Sequence, residues 1–421
     1  MTVAGPRHAT LVLAAATGVN LALGVLYAWS IFKAAILKSV QAGGDGAFGW
    51  NPASVNDPYA LAVLVFAGTM TVAGRVQDRF GARMAAMLSG ALVGAGFLVC
   101  ASTTSYAGWL FGFGGMVGAG IAFGYAAATP AALRWYAPAK TGQIAGIVVS
   151  GFGLAAVYIA PLSKFLLGTV GLSATLYILG GAFLVALIGL AQFLVPPPVG
   201  HVAVGAPTQP PVTSAPDASA PPTRGNDLPP AKVLRSPVFW LMWVIYGAGA
   251  GAGLMVIGSM AGMAQSGLGE KAFLAVAILA IGNAAGRIVA GWLSDRIGRR
   301  HTLALASGAQ AALMYASVPA IGLGFGPAVI VPLAAAIGFN YGANLALFPA
   351  MSKDMWGMKH LGTNYGFLFT SWGVGGFVLT RIAETLRANT GEFSDAFVMA
   401  GTILLISTLL VFLLEDDRSK T

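Results

Sequence analysis

Apolar runs of about 20 residues recur along the whole chain, and each is long enough to cross a hydrocarbon core of about 30 Å as a helix. Lipid offers no partner to a backbone N–H or C=O, so each run must satisfy its own polar groups. An all-α integral membrane protein follows. Composition agrees, with 57% of the 421 residues hydrophobic and only 9% charged, where a soluble domain carries roughly 25%. The first apolar run is too long for the core of a cleavable leader and reads as a span. The single cysteine, Cys100, excludes an intrachain disulfide.

Twelve transmembrane helices are expected, over 9–33, 57–77, 84–103, 107–134, 141–166 and 172–195, then 236–265, 271–294, 302–321, 326–350, 361–387 and 393–414. Residues 1–195 form a first six-helix half, and 236–421 a second half with a short tail. Between them, 196–235 opens with PPPVGHVAVGAPTQPPVTSAPDASAPPTRGNDLPPAK, a Pro/Ala-rich stretch with little to bury, expected to be a disordered or extended linker. Sixteen of the 23 Lys and Arg fall in the termini, linker and loops on one side, against six on the other. The positive-inside bias makes that side cytoplasmic, with both termini there, in a multi-pass plasma (inner) membrane protein. The net charge of +9 is therefore a topology signal facing the lipid bilayer and implies no nucleic-acid partner.

The halves repeat. GRVQDRFGAR at 74–83 and GWLSDRIGRR at 291–300 both read G-x-x-x-D-R-x-G-x-R, 217 positions apart. Gly74, Asp78, Arg79, Gly81 and Arg83 thus answer to Gly291, Asp295, Arg296, Gly298 and Arg300, with Arg299 beside the last. Further on, Pro130-Ala131, Trp135 and Gly142-x-x-x-Gly146 correspond to Pro349-Ala350, Trp356 and Gly362-x-x-x-Gly366. The loop supplies a tight glycine turn, basic groups for lipid headgroups, and an Asp that can accept hydrogen bonds from a neighbouring helix end, a gating or stability role. A duplicated six-span unit is an architecture in which a substrate site forms at the midplane between two moving halves.

This twice-occurring loop in a 6+6 chain with a central linker resembles the major facilitator superfamily, over all but the linker. The resemblance implies two pseudo-symmetric six-helix halves that rock about a central site in a secondary transporter, and no enzymatic activity.

Inside the eighth span stands Arg287, eight residues before Asp295 and so roughly 12 Å into the membrane. A guanidinium there costs about 2.5–3.5 kcal/mol on insertion scales and normally faces the bundle interior with an anionic partner. No Asp or Glu lies in the spans near that depth; Asp57 and Glu384 are the least peripheral. An anionic ligand, a carboxylate above all, fits the planar fork; capping of broken-helix carbonyls or pairing with a rim acid is the other explanation. Asn283, four residues earlier, shares the helical face, beside a ridge of Gly282, Gly286 and Ala290. Tyr125, Tyr341 and Tyr27 are candidate hydroxyl donors, and Asn364, Phe369 and Trp372 stand on an inward-turning eleventh span. GAGAGAG at 247–253 lies within a span and reads as helix packing. All four histidines fall outside the spans, so no metal or cofactor is expected.

LRSPVFWLMW at 234–243, NYGFLFTSWGV at 364–374 and N-x-x-x-R ahead of WLSDRIGR resemble the branch of monocarboxylate transporters and oxalate/formate antiporters. That resemblance implies that Arg287 binds a substrate carboxylate. Three departures shape the expectation. Trp372 stands where the oxalate antiporters carry a second cation, a Lys, which favours a monocarboxylate. Asn283 stands where animal monocarboxylate transporters carry an Asp, and Ile31, with Lys33 nearby, where they carry a Lys on the first span. DGAFGW at 45–50 matches a signature of the branch but follows the first span rather than preceding it. The expected activity is transport of a small monocarboxylate anion such as lactate or pyruvate, with proton symport implied by the resemblance. Exchange of oxalate- or formate-like anions is the alternative. A transport-fold sensor without flux would carry a sizeable soluble domain, and EDDRSKT after the last span is short.

Overall fold

The structure, a computed structural model, describes residues 6–44, 46–206, 227–268, 272–322, 327–390 and 393–414. It is a bundle of α1 (Pro6–Ala42), α2 (Asp57–Phe80), α3 (Ala82–Ala101), α4 (Tyr106–Leu133), α5 (141–170) and α6 (172–191). These are followed by α7 (Pro237–Leu268), α8 (Ala272–Ile297), α9 (Arg299–Gly322), α10 (Pro327–Trp356), α11 (Leu361–Thr390) and α12 (Ser394–Val411). Helices α5 and α6 meet at Gly171, whose φ of 78° ends one span and begins the next. Nine helical stretches among the described residues are long and apolar enough to cross a membrane, one of them the α5–α6 pair. The more polar α9 and α11 complete the twelve expected spans.

Two spans are irregular in ways that periodicity does not foretell. A 3-10 turn over Gly24–Ala28 breaks α1, where a Cβ on Gly24 would overlap the Ala155 methyl. A π-helical segment, Leu110–Val117, widens α4, and its Gly112 lies against the Gly96 carbonyl of α3. The first helix also runs past the expected end at residue 33 as far as Ala42.

Several helix contacts rest on close backbone approach at glycines. On α8 and α10, Gly282 faces the Ala335 carbonyl and Gly286 that of Phe339. Reciprocally, Gly338 faces the Leu279 carbonyl and Gly342 that of Asn283. The GAGAGAG run of α7 packs likewise, with Gly251 against the Gly375 carbonyl of α11 and Gly253 against the Tyr341 ring. Small residues let helices approach closely where lipid gives no hydrophobic drive to associate. The first six helices meet the last six along two seams, α2 with α11 and α5 with α8.

The linker, expected to be disordered or extended, runs without helix over 196–206 and enters a short helix at its other end. Residues 196–206 lie along the α4–α5 turn, and 227–235 lie by the α10–α11 turn and enter a short helix, Pro230–Arg235. Backbone groups of those turns find partners in linker backbone, so the ends have a defined place; 207–226 are outside the described residues.

Substituting Gly286→Val should drive a side chain into the Phe339 carbonyl, and overpacking of this kind costs about 1–3 kcal/mol. The melting temperature in detergent should fall. Gly308→Val should leave it near that of the parent, since a Cβ there meets nothing closer than Thr408 at 3.7 Å.

Candidate functional site

Both copies of the repeated loop perform the same chemistry at the basic end of the bundle. Gly81 (φ 86°) and Gly298 (φ 98°) make the turns after α2 and α8 in a conformation that L side chains resist. Just before each turn an Asp accepts hydrogen bonds from the first turn of a helix in the other half. Asp78 accepts from the Gly362 and Thr363 N–H groups at 3.0 and 2.7 Å and from the Thr363 hydroxyl at 2.7 Å. Asp295 accepts from the Gly142 and Gln143 N–H groups at 2.8 and 2.7 Å. A helix start offers unpaired N–H groups and the positive end of the dipole, which suits a carboxylate.

Close packing backs these latches. A Cβ on Gly74 would strike the Gly362 carbonyl, and one on Gly291 the Gly142 carbonyl. The second copy has more ionic support. Arg299 pairs with Asp295 at 2.6 Å and with Asp354 at 2.8 Å, and Lys353 donates to the Thr141 hydroxyl across the seam at 2.5 Å. Of the other basic residues, Arg79 lies over Phe80, Arg296 over Trp292 at 3.8 Å and Arg300 over Phe412. Arg83 donates to Gln192.

Arg287 sits at the seam between α8 and α5 and is fully buried. Its Nε donates to Asn283 Oδ1 at 3.0 Å, one turn earlier on the same helix. Its Nη1 donates across the seam to the Val149 carbonyl, and the guanidinium carbon lies 6.0 Å from the centre of the Phe152 ring. The remaining nitrogen, Nη2, is buried with no hydrogen-bond partner. Both acceptors are neutral, so among the described residues the charge is solvated by protein but not balanced.

A cluster of rings from both halves packs around this level. Phe66 of α2 lies 5.0 Å from Phe369 and 5.4 Å from Trp372, while Tyr125 of α4 lies 5.7 Å from Phe152 and 5.3 Å from Phe369. Phe369 stacks on Trp372 at 5.1 Å, and the Trp372 indole N–H donates to the Tyr341 hydroxyl at 2.9 Å. Tyr246 stacks on Phe348 at 4.2 Å, and its hydroxyl lies 3.3 Å from that of Tyr365.

The expected residues therefore divide. Asn283 and Arg287 are hydrogen-bonded to each other, while Tyr125, Tyr341, Phe369 and Trp372 are buried in the ring cluster. Asn364 is not brought there, because its amide donates to the Leu228 carbonyl at the end of the linker, 3.0 Å away. The side chain of Tyr27 lies outside the described residues. Glu384 is exposed and pairs with Arg381 at 3.2 Å. Asp57 accepts from the Tyr106 hydroxyl at 2.6 Å at the end of the bundle opposite the latches. Of the DGAFGW stretch, Asp45 lies outside the described residues, while Phe48 and Trp50 pack on Trp109. Sequence reasoning missed Phe66, Phe152, Tyr246 and Tyr365. A lone aromatic in an apolar span carries no signal of its own, although Tyr365 lies inside the NYGF stretch.

Comparison with known proteins decides the family. The Major Facilitator Superfamily profile matches residues 9–380. The chain belongs to that superfamily. It is a multi-pass membrane transporter and not an enzyme. It is 28% identical over 366 residues to an uncharacterised transporter of the superfamily, YhjX, from Escherichia coli (strain K12), covering 84% of this chain and 82% of that one. It is 27% identical to the oxalate:formate antiporter of Oxalobacter formigenes, covering 93% and 88%. To monocarboxylate transporter 11 of Mus musculus it is 27% identical, covering 82% and 75%. Among solved structures, the human organic anion transporter MFSD10 superposes with a TM-score of 0.70 at 15% identity, over 97% of this chain and all of that one. The proton:xylose symporter XylE also gives 0.70, at 12% identity, covering 97% and 96%. At these identities the structures share the fold.

If the latches hold the basic end closed, Asp295→Ala should open it more than Asp295→Asn, which keeps an acceptor for the two N–H groups. Hydrogen bonds to a charged group are worth about 1.5–3 kcal/mol, so the alanine variant should shift the closed population roughly tenfold or more. Double electron–electron resonance between labels on the α4–α5 and α10–α11 turns measures the change.

Proposed function

We propose that this chain is a secondary transporter of small monocarboxylates, lactate or pyruvate by preference, in which the carboxylate binds Arg287. The observation that carries the reading is the buried guanidinium with one nitrogen unpartnered and only neutral acceptors on the others. An uncompensated charge at this depth is costly, and an anionic cargo supplies the balance. The surrounding rings suit a short apolar carbon skeleton, and the Tyr125 and Tyr341 hydroxyls suit a substituent oxygen. Names of the relatives agree in class, since they include a monocarboxylate transporter and an oxalate:formate antiporter.

Transport proceeds by alternating access. The two halves rock about Arg287, the latches closing the basic end while the opposite end admits the anion. Sixteen basic residues against six assign the basic end to the cytoplasm, so both termini lie there, in a plasma (inner) membrane. Protons are the proposed co-substrate. A second reading, exchange of formate- or oxalate-like anions, draws on the likeness to the antiporter over 93% of the chain. Against a dianion stands the single cation: Trp372, already donating to Tyr341, adds no charge.

Uptake of labelled lactate into proteoliposomes tests both parts. Truncating one partner of a buried charge pair costs about 2–5 kcal/mol, so Arg287→Ala should lower uptake at least 30-fold, with Arg287→Lys between it and the parent. Parent-like uptake by Arg287→Ala would remove the site assignment. An inward proton gradient should accelerate uptake; acceleration only by preloaded anion would make the protein an exchanger. Trp372→Lys should raise the affinity for oxalate relative to lactate, measured by competition.

A further inference from the structure

The ends of the linker touch the gate where transport alone does not require them. Trp135 and Trp356 correspond in the internal repeat, and each offers its backbone carbonyl to one linker end. The Trp135 carbonyl accepts from Val204 N–H at 2.9 Å, and Ala137 N–H returns a bond to the Val204 carbonyl at 3.2 Å. The indole of Trp135 donates to the Val195 carbonyl at 2.9 Å, and the His201 ring lies edge-on to it at 4.9 Å. In the other half, the Trp356 carbonyl accepts from Leu228 N–H at 3.0 Å. Asp227 accepts from the Met358 and Lys359 N–H groups, both at 3.0 Å, and Asn364 ties the Leu228 carbonyl to the first turn of α11.

Both docked stretches fall immediately before the helix starts that receive the latches. Ala137 precedes Gly142 and Gln143, which donate to Asp295. Met358 and Lys359 precede Gly362 and Thr363, which donate to Asp78, and Asn364 follows them directly. Carboxylate capture at a helix start depends on the direction of its free N–H groups, and a turn held on both sides keeps that direction when the latch is apart.

We propose that the linker ends are positioning elements for the gate. Val195–Val204 orients the start of α5 for Asp295, Asp227–Leu228 orients the start of α11 for Asp78, and their docking sets how much of the time the basic end stays closed. The two sites differ in chemistry. The α11 side is held through side chains, Asp227 and Asn364, and the α5 side mainly through backbone. The inference rests on the latch reading of Asp78 and Asp295 and holds whichever anion is carried.

The test uses the full chain with Cys100→Ala and a reporter thiol from Ala73→Cys, a buried position on α2 next to Gly74. Its labelling by a membrane-impermeant maleimide from the basic face reads opening of the α2–α11 seam. Asp227→Ala should raise the labelling rate about fivefold or more, and Asp227→Asn, which retains an oxygen for both N–H groups, should stay within about twofold of the parent. Val204→Pro, lacking the donor to Trp135, should do the same to a reporter from Ala145→Cys on α5. Cleavage at a protease site inserted within 207–226 should leave both rates unchanged, because docking acts within each half.

Parent-like labelling in Asp227→Ala at an unchanged melting temperature would overturn the proposal. So would equal effects of the Ala and Asn variants, or a rise on cleavage as large as that in Asp227→Ala, which would mean that tether length governs the gate. Transport failing on Arg287→Ala while these labelling effects persist would separate this inference from the substrate assignment.

Discussion

A guanidinium held away from water between two halves of a membrane protein is the constraint around which the rest is arranged. A charge at this depth is costly unless polar groups meet it, so the protein must solvate Arg287. It does so from both sides of the seam, with Asn283 on its own helix and the Val149 carbonyl on α5. Those contacts need backbones at close range, and the glycines supply that. Gly146 lets α5 reach the Arg287 carbonyl, and Gly286 and Gly342 let α8 lie on α10. A bulkier α5–α8 seam would leave the guanidinium out of reach of the Val149 carbonyl.

On the proposed reading, the same few helices carry site and gate. On α8, Arg287 and Asp295 are eight residues apart, roughly 12 Å along the axis. On α11, Thr363 binds the latch while Phe369 and Trp372 join the ring cluster. On α5, Gly142 meets Asp295 and Val149 meets Arg287. If the site and latches act as proposed, a change at the centre that tilts any of these helices would move a latch without a separate relay. The repeat makes two such devices, and divergence has made them unequal: Asp295 has gained Arg299, itself shared with Asp354, whereas Asp78 draws on the Thr363 hydroxyl.

How much of this was legible follows from which physics is local. The spans, their number and the paired loops could be read because span length and motif repetition belong to the sequence itself. Arg287 was legible because one charge in an apolar run has a large cost, and Asn283 because helical spacing puts it one turn away. The ring cluster was only half legible: Tyr125 and Trp372 stood out by neighbouring motifs, while Phe66 and Phe152 are ordinary members of apolar spans until tertiary structure brings them together. Asn364 shows the opposite error. It belongs to the same motif as Phe369, yet it lies on the first turn of α11 and serves the linker. Docking of the linker ends escaped notice because its hydrogen bonds are chiefly to backbone, which composition does not reveal.

If Arg287 binds the cargo as proposed, charge balance there also constrains the transport cycle. With a bound carboxylate the centre is neutral; without one it carries a positive charge, and moving a unit charge across the membrane is worth about 2.3 kcal/mol per 100 mV. Exchange avoids that step, because the centre is neutral in both directions. Proton symport requires a proton held elsewhere on the loaded protein, since Asn283 stands where a titratable neighbour would serve. Among the described residues, no carboxylate lies in the ring cluster. Asp78 and Asp295 lie at the latches, and Asp57 lies on Tyr106 at the opposite end. On the proposed reading, the described carboxylates would place proton coupling at the latches or the entrance rather than beside the arginine.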